Sequence, residues 1–155
     1  MSIKYVTGDL FSAKNCAFLH ACNCQRTWGR GVAAEMARRF PKSYGIHKGH
    51  KPTLGDIQVI FEPSEMSEGR GAQSIVCLFT SEGYGQDTDP SHLILENTKS
   101  ALLQLGRFYQ SADEVNIASP KINAGLFRVP WEDTENLICE FLKDNKNFTW
   151  TVYCL

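Results

Sequence analysis

The chain contains no long hydrophobic run. Nowhere in its 155 residues does it approach the roughly 20 consecutive apolar residues that a membrane-spanning helix needs, so no membrane association is expected. It has no excess of one charge either. Sixteen Lys and Arg face 17 Asp and Glu, for a net charge of −1, which removes the basic field that draws proteins onto nucleic acid or anionic lipid. An apolar signal core and an arginine-rich leader are both missing, since the strand pattern begins by Ile3; the expected location is the cytoplasm, the nucleus or both. Low-complexity tracts, internal repeats and linkers are missing too, so residues 1–155 read as one domain and a monomer. Six cysteines (Cys16, Cys22, Cys24, Cys77, Cys139 and Cys154) lie mostly inside apolar patterns rather than turns, in a chain large for a disulfide scaffold, and are read as reduced thiols. A small, locally recognised ligand is the expected partner.

What is present is an alternation of strands and helices. Ile3–Thr7, Cys16–Cys22, Asp56–Phe61, Ser74–Thr80, Val115–Ser119 and Phe148–Cys154 read as strands. Val32–Phe40 is helical until Pro41 stops it, and Tyr44–Lys51 forms a second short helix. Asp89 is placed as the N-cap of the longest helix, whose inner face is Ile94, Thr98, Ala101, Leu102, Leu105 and Phe108; Pro130 opens the last helix. The polar stretch Glu62–Gly71 reads as a surface excursion. Such alternation predicts an α/β fold with a largely parallel or mixed sheet covered on both faces, in which ligands bind at the carboxyl ends of strands.

Two segments join a strand to a helix through glycine. In His20-Ala21-Cys22-Asn23-Cys24-Gln25-Arg26-Thr27-Trp28-Gly29-Arg30-Gly31-Val32-Ala33 the glycines let backbone N–H groups approach an anion, and the following helix directs its positive end at the same spot. Ser119-Pro120-Lys121-Ile122-Asn123-Ala124-Gly125-Leu126-Phe127 repeats the arrangement, and two such loops imply a ligand with more than one phosphate. A third break, Gly8-Asp9, also follows a strand.

Gly8-Asp9-Leu10, the Asn23–Val32 loop and Pro120-Lys121-Ile122-Asn123-Ala124-Gly125-Leu126 together resemble the macrodomain pattern over nearly the whole chain. Within that family the chain is most similar to the small fungal ADP-ribose 1″-phosphate phosphatases, through its His-x-Cys-Asn-Cys strand end, Trp-Gly-x-Gly loop and late Asn-x-Gly-x-Phe-x-Val-Pro-Trp segment. The resemblance implies a single three-layer α/β/α sandwich with a mixed, largely parallel sheet, and no cofactor. It implies ADP-ribose and its 1″-phosphate as ligands, the latter a by-product class of tRNA splicing, with ADP-ribosylated proteins as further partners. By position it assigns adenine to Asp9, flanked by Gly8 and Leu10, and the distal ribose to Asn23, beside Ala21 and Cys22. One phosphate falls to the backbone of Trp28, Gly29, Arg30, Gly31 and Val32. The other side of the diphosphate falls to Ser119, Pro120, Ile122, Asn123, Ala124, Gly125, Leu126 and Phe127. The alternatives are removal of ADP-ribose from acidic side chains and binding without turnover. The lysine used by terminal ADP-ribose–protein glycohydrolases has no counterpart in Thr80-Ser81-Glu82-Gly83.

His20 and Asn23 are the catalytic candidates, the imidazole as proton handler and the amide as positioning group, set against a core histidine and a plain turn residue. Arg30 replaces a glycine common in the family: it is strained if the loop needs positive φ there, and a phosphate contact if it does not. Cys24 and Arg30 share the spacing of cysteine-dependent phosphatases but lack the mid-loop glycine and the hydroxyl residue after the arginine. His20, Cys22 and Cys24 alternate along one strand too far apart for one ion, so no metal is expected. Glu82, Asp87 and Asp89 lie in a glycine-rich loop able to close over a ligand, where one carboxylate could orient water.

Overall fold

The computed structural model describes residues 2–61 and 74–155; the expected excursion at 62–71 lies outside them. Six strands, β1 (Lys4–Thr7), β2 (Ala17–Asn23), β3 (Ile57–Phe61), β4 (Ser74–Ser81), β5 (Val115–Ser119) and β6 (Phe148–Cys154), form one sheet in the order β1-β6-β5-β2-β4-β3. Only the β3–β4 pairing is antiparallel. Four helices cover it: α1 (Gly31–Arg39), α2 (Pro41–Gly49), α3 (Ser91–Phe108) and α4 (Trp131–Asp144). No described helix is long and apolar enough to cross a membrane, and all six cysteines are free thiols.

The interior strands β2 and β4 are apolar on both faces because each face meets a helical layer. Leu19 on β2 and Val76 and Leu78 on β4 point to the core shared with α3 and α4, around Leu102, Leu105, Ile138 and Trp150. Phe18, Cys22, Ile75, Cys77 and Phe79 point the other way, to Met36 on α1 and to Phe40. The pleat therefore sends His20, two residues from both Phe18 and Cys22, into the α1/α2 layer.

Two boundaries differ from expectation for a physical reason. Pro41 ends α1 and is also the first residue of α2, where its missing N–H costs nothing, so α2 starts three residues before Tyr44. Asp89 does not cap α3. Its carboxylate accepts from the Glu82 N–H at 2.9 Å, and Pro90 takes the cap position with no side-chain bond.

Candidate functional site

Strands β2, β4 and β5 run parallel and end at Asn23, Ser81 and Ser119, so the loops that follow them emerge at one edge. They enclose a cleft of about 810 Å³ lined by residues 20–23, 27–33, 84–86, 120–123 and 125–128. The two glycine loops meet across it: a Cβ built on Gly31 would lie 3.8 Å from Leu126 Cδ1.

Gly31, the first residue of α1, has φ +58°, which an L side chain resists, and it aims the free N–H groups of the first helical turn into the cleft. Arg30 just before it is extended, φ −146° and ψ 161°, and so is unstrained. Trp28 contributes differently from expectation. Its N–H is 3.3 Å from the Tyr44 hydroxyl, and its buried ring stacks on Tyr44 and His47 with centroids at 5.0 and 4.6 Å. That N–H is occupied, and the indole is a wedge that seats the loop on α2.

Asn23 is a loop builder first. Its Oδ1 accepts from the N–H groups of Gln25 (2.9 Å) and Thr27 (3.4 Å), while Nδ2 donates to the Thr27 carbonyl (3.0 Å). An amide carries two donors, so one N–H is left to face a ligand. Asn123 is likewise structural: at φ +65°, a conformation asparagine tolerates, its side chain accepts from Thr80 Oγ1 (3.0 Å) and donates to Thr98 Oγ1 (2.9 Å) and Thr134 Oγ1 (3.4 Å). One amide thus fixes the second loop to β4, α3 and α4.

His20 is 2% exposed, in the cleft floor. Its Nε2 lies 3.4 Å from Cys22 Sγ and 3.7 Å from Cys77 Sγ, and its ring meets Trp28 edge to face. Burial alone would raise the Cys22 thiol, but a hydrogen bond from Cys77 and the imidazoles of His20 and His47 outweigh it and hold Cys22 well below its ordinary value; Cys77 is pushed up by burial and by Cys22. The soft atoms of His20, Cys22 and Cys77 lie within 4.8 Å of one another, a grouping across strands that the spacing along β2 does not reveal. Its geometry is nonetheless wrong for a shared ion. Cys22 Sγ is 3.4 Å from Nε2 and 3.7 Å from Nδ1, so the sulfur does not lie along the lone pair of either nitrogen. An ion bound to sulfur and Nε2 at ordinary bond lengths would put the sulfur about 5 Å or more from Nδ1.

Several expected residues lie apart from the cleft wall. Gly8, Asp9, Leu10, Ser119 and Ala124 do not line it. Asp9 is exposed, with Oδ1 accepting from the Phe11 N–H (3.0 Å) and Oδ2 3.8 Å from Arg39; Leu10 is buried. Ser119 Oγ bonds the Pro120 carbonyl and accepts from the Trp150 indole. Cys24 faces a separate surface pocket with Arg26, Lys51 and Glu82, and burial followed by the Glu82 carboxylate pushes its thiol up to about 12. It is neither opposite Arg30 nor a thiolate, so the cysteine-phosphatase spacing is coincidental. In the glycine-rich loop it is Tyr84, Gly85 and Gln86 that reach the cleft, not the carboxylates Glu82, Asp87 and Asp89.

The cleft also gains Thr27, Ala33, Lys121 and Arg128. Lys121 lies in the Pro120–Leu126 segment and Arg128 at an unspecified position of the Asn-x-Gly-x-Phe-x-Val-Pro-Trp segment, where neither carries a signal beyond its charge. Among the described residues, the lining holds three cations, Arg30, Lys121 and Arg128, and no Asp or Glu. Helix-terminal amides, arginines and an acid-free wall make a receptor for a polyanion.

Known proteins share the sequence family and the fold. The family model described as Macro domain matches residues 19–138. A Meyerozyma guilliermondii protein named ADP-ribose 1″-phosphate phosphatase is 36% identical over 160 aligned residues, covering 88% of this chain and 91% of that one. Among solved structures, the macrodomain of Mycobacterium tuberculosis DarG superposes with TM-score 0.81 at 20% identity, covering 99% of this chain and 97% of that one. Thermosipho africanus DarTG, solved in complex with ADP-ribose, gives TM-score 0.81 at 16% identity, with all of this chain matching 42% of that one.

Proposed function

Because the chain belongs to the macro domain family, we propose that it is a phosphatase that hydrolyses ADP-ribose 1″-phosphate to ADP-ribose and inorganic phosphate. The observation that carries the reading is the cleft at the carboxyl ends of β2, β4 and β5, whose wall, among the described residues, holds the start of α1, three cations and no carboxylate. The named activity of the Meyerozyma guilliermondii relative supports it, since the alignment spans about nine-tenths of both chains.

In this reading the diphosphate lies between the two glycine loops, against the free amides from Gly29 to Val32 and the backbone from Asn123 to Phe127. Asn23 uses its remaining N–H on the distal ribose; Asp9 stands outside the cleft wall, so its assignment to the adenine amine rests on the resemblance alone and needs the adenine to extend beyond that wall. Water attacks phosphorus in line, the P–O bond to the sugar breaks, and loop amides and guanidinium groups stabilise the charge on the equatorial oxygens. The leaving sugar oxygen takes up a proton. His20, in the floor, is assigned to hold the proton inventory beneath the site; its contacts with Cys22 and Cys77 make the relay indirect.

Purified protein incubated with ADP-ribose 1″-phosphate tests the assignment by colorimetric phosphate release. Release proportional to protein and inhibited by ADP-ribose is the expected result. Binding without release would make the protein a reader, and release of ADP-ribose from a mono-ADP-ribosylated protein under the same conditions would make it a deconjugating hydrolase.

A further inference from the structure

In the proposed reading the backbone loops hold the diphosphate and Asn23 the distal ribose, which substrate and product share, so something else must recognise the phosphate monoester that only the substrate carries. We propose that Arg128, acting with Arg30, is the specificity-determining residue for that monoester, an inference that rests on the phosphatase reading above.

Position comes first. The two glycine loops approach each other at Gly31 and Leu126; Arg30 immediately precedes one side of that approach, and Arg128 follows the other by two residues. Both residues line the cleft. Their availability is the second point. Arg38 and Arg39 are engaged by Glu35, and Arg26 by the Lys48 carbonyl, whereas neither Arg30 nor Arg128 has a side-chain acceptor among the described residues. With no carboxylate in the cleft wall among the described residues, both guanidinium groups are open to an anion.

Backbone conformation is the third. Arg128 has φ +61°, a left-handed geometry that glycine adopts freely and a side chain rarely does. The turn is held by the Arg128 N–H on the Gly125 carbonyl (3.1 Å) and the Val129 N–H on the Asn123 carbonyl (2.9 Å), neither of which needs the arginine side chain. Folding alone would thus be served by glycine, and a residue kept against backbone preference at a ligand cleft points to function. A guanidinium presents parallel N–H donors that match two oxygens of a phosphate monoester, which a compact ammonium such as that of Lys121 does not. Once the monoester is released as phosphate, ADP-ribose loses these contacts, so the pair favours substrate over product.

The test compares wild type, Arg128→Gly and Arg128→Lys for affinity toward ADP-ribose 1″-phosphate and toward ADP-ribose, both read by displacement of a fluorescent ADP-ribose at short times, with phosphate release followed in parallel. Wild type should prefer the phosphorylated ligand. Arg128→Gly, which relaxes the backbone and keeps the fold, should weaken the phosphorylated ligand at least tenfold and ADP-ribose less than twofold, and Arg128→Lys should recover part of the difference. Equal weakening of both ligands, weakening of neither, or a wild type without preference overturns the inference. If wild type prefers the phosphorylated ligand, loses that preference in Arg128→Gly and yet releases no phosphate, the phosphatase reading fails while Arg128's recognition of the monoester stands.

Discussion

Asn123 shows how one side chain can be decisive for a site without touching the ligand. Its amide joins three threonine hydroxyls from β4, α3 and α4, and its left-handed backbone sets the direction of the second loop. Asn123→Ala strands buried hydroxyls and puts an unsupported side chain at positive φ, so we predict a loss of about 3 kcal/mol in urea denaturation. Asn123→Gly should lose about 1 kcal/mol less, because glycine relieves the backbone; equal losses would show that the left-handed geometry is not a cost. At this scale the sequence was only partly legible. Asn23 and Asn123 stood out as loop residues, but not that their amides are spent on Thr27 and on the three threonines, since those partners lie on other elements or arise only once the loop is folded. The face of His20 was equally hidden: strand alternation says that it shares a side with Phe18 and Cys22, and only the packing of α1 and α2 says which side that is.

At the scale of elements, the cleft is made by loops whose shape depends on a few close approaches. Gly83 is one. A Cβ there would lie 2.2 Å from the Asp87 carbonyl oxygen, so no side chain fits without unfolding the turn that carries Tyr84, Gly85 and Gln86 into the cleft. Gly83→Ala should therefore leave the denaturation midpoint nearly unchanged, as the loop is at the surface, and weaken ADP-ribose at least tenfold in calorimetric titration; unchanged affinity would remove this loop from the site. Strands, helices and both glycine loops were readable from alternation, glycine and proline. The boundaries that moved did so because one residue served two elements, as Pro41 does, or because a side chain found a distant partner, as Asp89 found Glu82. Arg30 illustrates a question that the sequence posed and could not answer, namely whether its backbone is strained; the extended φ of −146° answers it.

For the whole molecule, buried titratable groups set a window of stability. His47 is fully buried between Trp28 and Phe79, and burial lowers its pKa below the ordinary 6.5. Its Nδ1 meets Gln58 at 2.8 Å, but its Nε2 has no partner among the described residues, so an imidazolium would carry an unsatisfied N–H. The folded state then binds this proton less readily than the unfolded state. Stability contributed by neutral His47 is full above about pH 6.5 and falls below it, by up to about 1.4 kcal/mol per pH unit. At the other end burial raises Cys16 to about 11, which favours the folded thiol until the unfolded one ionises near 9.0, so stability falls again above that pH. Denaturation midpoints should thus show an acid limb below about pH 6.5 that His47→Gln flattens and a fall above about pH 9, with the depressed Cys22 thiol adding a rise toward pH 9 between them; an unchanged acid limb in that variant would assign it to other groups.

Fold and ligand class were legible at this scale because they rest on the order of three motifs along the chain. The cationic, acid-free wall of the cleft was not, because Lys121 and Arg128 join Arg30 only when the loops after β2 and β5 meet at Gly31 and Leu126. The most direct test of the proposed reaction is phosphorus NMR of ADP-ribose 1″-phosphate turned over in ¹⁸O-labelled water. The account predicts that the monoester resonance is replaced by inorganic phosphate carrying one ¹⁸O while the diphosphate resonances persist. Unlabelled phosphate with ¹⁸O in the sugar, or no phosphate at all, would contradict it.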